Sequence, residues 1–365
     1  MVKLAKKMKK ILIFGATGSI GTQAIELISN NPQLKLVGIS YHNNESLANK
    51  IIAQFNLKYY FSSNPNNHSS VSNFQDLIKK TKPNLVLNAI VGFAGLPITK
   101  YCLDKKIKLA LANKESLVAA GGLIKNKKMI YPVDSEHSSL FFLKTTNEHQ
   151  IKQIYIPASG GPFYNLSQDA LKTKTYDEAI KHPIWPMGDK ISIDSANLVN
   201  KCFEIIEAIH LFPNVKITAL HHPQAIIHSM IEYQDYSTVA YLSNPDMKIA
   251  INLALNEFKI QPPVIKRLNF DNLALSFEAI NLNKFISLKW PQIIYENNLS
   301  VVGLVICVVD DYMINLFKLR KVNFLDIINT IDYFVNEYKS ISLTQWNDIF
   351  KYQQEVLAKL NKMFA

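Results

Sequence analysis

Lys10-Ile11-Leu12-Ile13-Phe14-Gly15-Ala16-Thr17-Gly18-Ser19-Ile20-Gly21 decides how the chain starts and what class of fold it enters. Four apolar residues, Ile11 to Phe14, run into glycine without polar alternation, the pattern of a strand buried on both faces. Beyond the glycines, Ile20, Ala24, Leu27 and Ile28 fall on one face of a helix that reaches Asn30, and 34–40 reads as a second strand. A β-α-β unit results. The alternation continues outward, with helical spacing at 46–55 and 74–80 and strand patterns at 58–62, 84–90 and 107–112. Alternating strands and helices of this kind predict an α/β fold, an N-terminal Rossmann-like parallel sheet with helices on both faces, over 1–133.

Near Tyr131 the texture changes. Strand patterns at 151–157 and 225–232 mix with Gly, Pro and Ser, and one helix is expected from Ser195 to His210, so 134–260 reads as a central α+β domain. Pro262-Pro263 and the loss of periodicity mark 261–290 as a linker. Helical spacing at 299–317, 324–338 and 343–360 makes 291–365 a C-terminal helical domain.

The chain has 365 residues, 48% hydrophobic and 19% charged, enough to bury a large core in two or three domains. The longest apolar stretch, 301–309, ends in Asp310-Asp311, short of the roughly 20 residues a membrane span needs. The basic start runs directly into the first strand and does not read as a signal peptide, so a cytoplasmic protein with no membrane partner is expected. Cys102, Cys202 and Cys307 are too far apart for a disulfide framework or a paired-ligand zinc site. The net charge of +11 fits a nucleic-acid partner, an anionic small substrate or plain solvated surface. Without Arg, Gly and aromatic interleaving, no nucleic-acid partner is expected.

Gly15 to Gly21 follows the spacing G-x-x-G-x-x-G between strand and helix, where a pyrophosphate can approach helix N-terminal amides; a ligand-free turn is the alternative. After the second strand, Ser40-Tyr41-His42-Asn43-Asn44 has no acid before Glu45, which favours NADP over NAD, although no Lys or Arg stands there to hold a 2′-phosphate. Pro132-Val133-Asp134-Ser135-Glu136-His137 places two carboxylates two residues apart, facing one way if the segment is extended. Oxygen donors suit Mg²⁺ or Mn²⁺, and two solvated loop acids are the alternative. Asn200, Lys201 and Glu204 share a helix face suited to an anion and a metal, or to an ordinary exposed stripe. Ser159-Gly160-Gly161-Pro162 and His182-Pro183-Ile184-Trp185-Pro186-Met187-Gly188 suit either a loop that closes over a ligand or structural loops.

Together with Asn88-Ala89-Ile90-Val91-Gly92-Phe93-Ala94-Gly95, Ala112-Asn113-Lys114-Glu115-Ser116-Leu117, Lys190 to Ser195, His222-Pro223-Gln224 and Asn244-Pro245-Asp246-Met247, these motifs resemble the 1-deoxy-D-xylulose 5-phosphate reductoisomerases of the non-mevalonate isoprenoid pathway, over about 10–247. The resemblance implies NADPH as cofactor, Mn²⁺ or Mg²⁺ as metal, a phosphosugar substrate and a homodimer. It implies metal ligands at Asp134, Glu136 and Glu204, and catalytic roles for Lys114, Glu136, His137 and His182. Substrate contacts fall on Ser135, Ser159, His182, Trp185, Met187, Ser195, Asn200, Lys201, Glu204 and His222. Cofactor contacts fall on Thr17, Gly18, Ser19, Ile20, Ser40, Asn43, Asn44, Asn113, Lys114, Glu115 and Gly188.

The implied reaction is an isomerisation followed by reduction to 2-C-methyl-D-erythritol 4-phosphate. The chain departs from the family's pattern at Asn43, at Pro186 and in Cys307-Val308-Val309-Asp310-Asp311, which replaces an Asn-rich segment ending in Glu. The competing readings are another two-domain NADP reductase, which leaves the three carboxylates unexplained, and a degenerate homologue that binds nucleotide or phosphosugar without turnover.

Overall fold

The structure, a computed structural model, describes residues 8–144, 150–181 and 188–365. In chain order its elements are β1 Lys9–Phe14, α1 Ser19–Ser29, β2 Leu34–Tyr41, α2 Glu45–Gln54, β3 Tyr60–Ser62, α3 Phe74–Thr81, β4 Leu85–Asn88, α4 Leu96–Asp104, β5 Lys108–Leu111, α5 Lys114–Ala120 and β6 Ile130–Pro132. There follow α6 Ser135–Leu143, β7 Ile151–Ala158, α7 Gln168–Leu171, α8 Tyr176–Ala179, α9 Asp189–Ala196, α10 Val199–Leu211, β8 Lys216–His221, β9 Ile227–Tyr233, β10 Thr238–Leu242 and α11 Met247–Leu255. The last elements are β11 Glu278–Ala279, α12 Pro291–Glu296, α13 Val302–Lys318, α14 Phe324–Tyr338 and α15 Trp346–Met363.

Two compact units divide the chain. The first comprises Met1–Asn113, Asn126–Ser138 and Asp246–Lys266, the second Lys114–Lys125, Ser139–Pro245 and Arg267–Ala365. The first holds a six-stranded sheet in the order β3-β2-β1-β4-β5-β6, every pairing parallel. Ile11, Leu12, Ile13 and Phe14 are all fully buried, as expected for a central strand covered on both faces. The crossover order that starts at β1 and runs outward in both directions puts the turns after β1 and β4 side by side, the place where open parallel sheets bind ligands. Helix α11, which the sequence pattern did not resolve, packs on α1 and buries Ile251, Ala254 and Leu255 in this core.

The second unit carries a mixed five-stranded sheet, β10-β9-β7-β8-β11, in which only β7 and β8 run parallel. Helix α10 lies against β8, and α13 is buried among α5, α14 and α15. The expected architecture of parallel sheet, α+β centre and C-terminal helices is borne out.

Two local expectations need correction. The helix expected from Ser195 is two helices, because Leu198 adopts a left-handed φ of 59° and Asn197 Oδ1 accepts the Val199 N–H at 2.9 Å, starting α10 afresh. The segment after Pro132 is not extended: α6 begins at Ser135, so Asp134 and Glu136 are set by a strand-to-helix turn and not by strand alternation.

Candidate active site

In the first unit the glycine turn is a backbone device. Gly15 has φ +81°, and a Cβ there would lie 2.6 Å from the Ala89 carbonyl oxygen, so only glycine lets β1 and the turn after β4 approach. Gly18 is the N-cap of α1 and offers no side-chain bond to the first-turn amides at Ser19 and Ile20, an arrangement that receives an anion. Ser40 braces the turn: its Oγ accepts Gly15 N–H at 3.3 Å and its carbonyl accepts Ala16 N–H at 2.9 Å.

Beside it, Asn44 Oδ1 accepts Leu47 N–H at 3.1 Å and caps α2, while Asn43 Oδ1 accepts Asn64 Nδ2 at 3.4 Å. Glu45, the first acid after β2, accepts the His68 N–H at 3.2 Å. His42 and Ser63 face each other at 3.0 Å. Asn113 is almost fully buried and donates to the carbonyls of Ile90 and Gly92 at 2.9 and 2.8 Å, bracketing the turn after β4.

At the end of β6, Asp134 Oδ1 accepts Ser135 N–H at 3.1 Å and Ser135 Oγ donates to Glu136 Oε2 at 2.7 Å. His137 is fully buried, with Nδ1 4.0 Å from Asp134 Oδ2. These residues belong to the first unit.

The second unit gathers Lys114, Asn200, Lys201 and Glu204. Lys114, at the start of α5, donates from Nζ to Asn200 Oδ1 at 2.7 Å and stands 3.3 Å from Glu204 Oε1. Lys201 Nζ donates to the Pro157 carbonyl at 2.6 Å and pairs with Glu204 Oε2. Glu204 is only 1% exposed and Lys201 only 5%, with Asn200 half-buried, so the stripe is not an ordinary solvated face. Ions in such a place are stable only when paired and hydrogen-bonded. Glu204 is met by two ammoniums, a donor-rich setting for an anionic ligand.

Ser159 follows β7 and Ser195 closes α9, both half-buried, and Gly188 is the N-cap of α9. Glu115 is buried in the first turn of α5. His222 is fully buried after β8. Its Nδ1 donates to the Ser276 carbonyl at 2.9 Å and its Nε2 accepts the N–H groups of Ile226 and Ile227 at 3.2 Å, which specifies the neutral tautomer. Burial holds its pKa below the ordinary histidine value. Both ring nitrogens are engaged by the backbone, so the ring organises the 222–227 turn and the segment around Ser276.

His182, Trp185 and Met187 lie outside the described residues. Asn88, fully buried and donating to Gly95 O at 2.9 Å and Thr99 Oγ1 at 3.0 Å, is a bracket that the motif contains but its spacing does not reveal.

Known proteins settle the family. Three family models match: the 1-deoxy-D-xylulose 5-phosphate reductoisomerase model over residues 11–121 and C-terminal domain models of the same family over 130–212 and 242–359. The chain belongs to the 1-deoxy-D-xylulose 5-phosphate reductoisomerase family. It is 42% identical over 352 residues to the reductoisomerase of Malacoplasma penetrans, covering 95% of this chain and 93% of that one. With the Mycoplasmoides gallisepticum enzyme the identity is 39%, over 96% of this chain and 98% of the relative. Among solved structures, the Zymomonas mobilis reductoisomerase in complex with NADPH superposes with a TM-score of 0.86 at 30% identity, covering 98% of this chain and 99% of that one. A DOX-P reductoisomerase in complex with NADPH, fosmidomycin and magnesium gives 0.88 at 28%, covering 98% of each. The family resemblance read from residues 10–247 therefore extends through the helices beyond them, including the divergent 307–311 segment.

Proposed function

We propose that this chain converts 1-deoxy-D-xylulose 5-phosphate to 2-C-methyl-D-erythritol 4-phosphate, using NADPH and a divalent cation, in the non-mevalonate route to isoprenoid precursors. The observation that carries the proposal is the cluster of half-buried Lys114 and Asn200 with buried Lys201 and Glu204, in a chain of this family. Asp134, Glu136 and Glu204 would hold the cation, and an all-carboxylate donor set fits Mg²⁺ or Mn²⁺ better than zinc. Such a cation, when bound, polarises a carbonyl and an adjacent hydroxyl oxygen.

The other roles belong to the chain itself. Ser159, Ser195, Asn200 and Lys201 hold the substrate's phosphate, far from the carbons that react, so their binding energy is available for orienting the sugar. Lys114 stands between substrate and nicotinamide, with Ser135, Glu136 and His137 beside the reacting oxygens and His222 shaping the wall. His182, Trp185 and Met187 cover the substrate and exclude water during the carbon–carbon rearrangement and the following hydride transfer.

For the dinucleotide, the uncapped N-terminus of α1 and the Gly15 turn form the cradle, with Thr17, Gly18, Ser19 and Ile20 at the pyrophosphate. Ser40, Asn43 and Asn44 line the adenosine end, and Asn113, Lys114, Glu115 and Gly188 the nicotinamide end. No acid stands between the end of β2 and Glu45, and Glu45 accepts the His68 amide through Oε1, which supports NADPH. The working form is a cytoplasmic homodimer that accepts Mn²⁺ as well as Mg²⁺. No described helix is long and apolar enough to cross a membrane.

The test is direct. Purified protein with Mg²⁺ or Mn²⁺ oxidises NADPH when given 1-deoxy-D-xylulose 5-phosphate, faster than it oxidises NADH, and a chelator stops it. No oxidation with metal and fresh cofactor present overturns the proposal.

A further inference from the structure

The segment Cys307-Val308-Val309-Asp310-Asp311 lies in α13 and faces α9. Lys190 Nζ bonds Asp194 Oδ2 at 2.8 Å, one turn along its own helix, and also Asp310 Oδ2. Asp311 Oδ1 is 3.5 Å away, and the ring of Phe203 on α10 lies 5.2 Å beneath the ammonium. Asp194 is 2% exposed and Asp310 is fully buried. The remaining charged group that acts on Lys190 is Glu115 of α5, and the thiols of Cys202 and Cys307, pushed up by burial, stay neutral.

Three acids pair with one ammonium while Glu115 acts from farther off, and the buried ones cannot all ionise. Among the described residues Asp194 Oδ1 and Asp310 Oδ1 meet no N–H or O–H donor, and the two carboxyl groups converge on the single Lys190 ammonium. One proton held between them supplies the missing donor. Burial, and then the Asp194 carboxylate, push Asp310 well above the usual carboxylate range. Burial acts to lower the Lys190 ammonium, but the carboxylates around it prevail and hold it well above its ordinary value.

We infer that Lys190, Asp194 and Asp310 form a buried clamp that fixes α9 on α13 and so positions Ser195 toward the substrate's phosphate. The inference rests on the function proposed above. Asp194 and Ser195 are neighbours on α9, their side chains about 100° apart around the axis. Anchoring one therefore orients the other. On the opposite side, Gly161 at φ +66° lets the chain press against the Ser195 carbonyl, 2.6 Å from where a Cβ would stand, so α9 has little room to shift. These are positioning residues and need touch no substrate.

The comparison of Asp310→Asn and Asp310→Leu with wild type tests the clamp in the full chain with Mg²⁺ and NADPH. The asparagine keeps an oxygen for Lys190 and has no proton to lose. A raised folded pKa means that the contribution of Asp310 is present below its unfolded value and lost as pH rises through the folded one. Wild type should therefore show a substrate KM that climbs on the alkaline side, while Asp310→Asn stays flat and matches wild type near neutrality. Asp310→Leu should raise the substrate KM about tenfold, with kcat and the KM for NADPH within about twofold, as expected for lost uniform binding.

Substrate KM and pH profile unchanged in both folded variants, or KM for substrate and NADPH rising together, would overturn the clamp. If wild type turns over no substrate, the functional proposal fails separately, and inorganic phosphate binding by calorimetry then decides. Weaker binding to Asp310→Leu than to wild type and Asp310→Asn supports the clamp, and equal binding by all three overturns it.

Discussion

The second unit contains two buried clusters of the same residue types with opposite balances. Around Glu204, two ammoniums, Lys114 and Lys201, meet one carboxylate. Around Lys190, two buried carboxyls and a partly exposed third meet one ammonium. Among the second unit's own groups, surplus ammonium suits the first to the proposed phosphate, beside the carboxylate proposed for the cation. Surplus acid makes the second a holder of a proton, which is useful for bracing and useless for binding phosphate. Burial is common to both; the count of charges decides which becomes a site and which a strut.

Substitutions can break this contrast, and the largest effect is expected where the proposed cation ligand is lost. Glu204→Gln should cut kcat by roughly 10³-fold, or about 4 kcal/mol, the size found for losing a buried electrostatic contact in the transition state. It should move the Mg²⁺ titration to higher concentration and leave NADPH binding, read by fluorescence, unchanged. Equal loss of both would erase the distinction between the metal site and the cofactor turn.

Lys190→Met should cost about 3 kcal/mol at neutral pH in denaturant unfolding, because it strands buried carboxyls. Without the ammonium, Asp194 and Asp310 keep their protons to higher pH. Their contribution is then present under acid conditions and lost as pH rises, so the deficit should be small in acid and grow toward alkaline pH. A deficit independent of pH would show that the cluster holds no proton.

Lys201→Met should raise the substrate KM by about 10–30-fold, the value of one charge-assisted hydrogen bond, with a stability loss smaller than that of Lys190→Met because Lys114 still meets Glu204. A stability loss as large as that of Lys190→Met would make both clusters struts.

The smallest effect on substrate handling tests the uncharged site of the first unit. Gly15→Ala should destabilise by more than the roughly 1–2 kcal/mol that a left-handed conformation costs a residue with a Cβ, because that Cβ would also meet the Ala89 carbonyl oxygen at 2.6 Å. It should raise the KM for NADPH and spare that for substrate.

Much of this was legible along the chain. The glycine turn, the parallel sheet and the three C-terminal helices follow from local signals: a strand-to-helix glycine cluster, short uninterrupted apolar runs, period-3.6 apolar spacing, and loss of periodicity between them. The stripe of Asn200, Lys201 and Glu204 was visible too, since positions i and i+4 share a helix face. The α9–α10 break was not legible, because it depends on a left-handed Leu198 and a local Asn197 bond within an unbroken helical pattern.

By itself, the order of residues determined the family, the α/β class and the residue types able to bind an anionic cofactor, a hard cation and a phosphosugar, since these depend on composition and spacing over a few turns. Only the tertiary structure decided what each charge does. It turned Lys201 onto the Pro157 carbonyl and Glu204, spent both nitrogens of His222 on backbone groups, and brought Asp310 to Lys190 across 120 residues of chain. The physical reason is that the role of an ionisable group depends on burial and on which charges stand within a few ångströms. Both are properties of packing between distant segments, and no local window of sequence contains them.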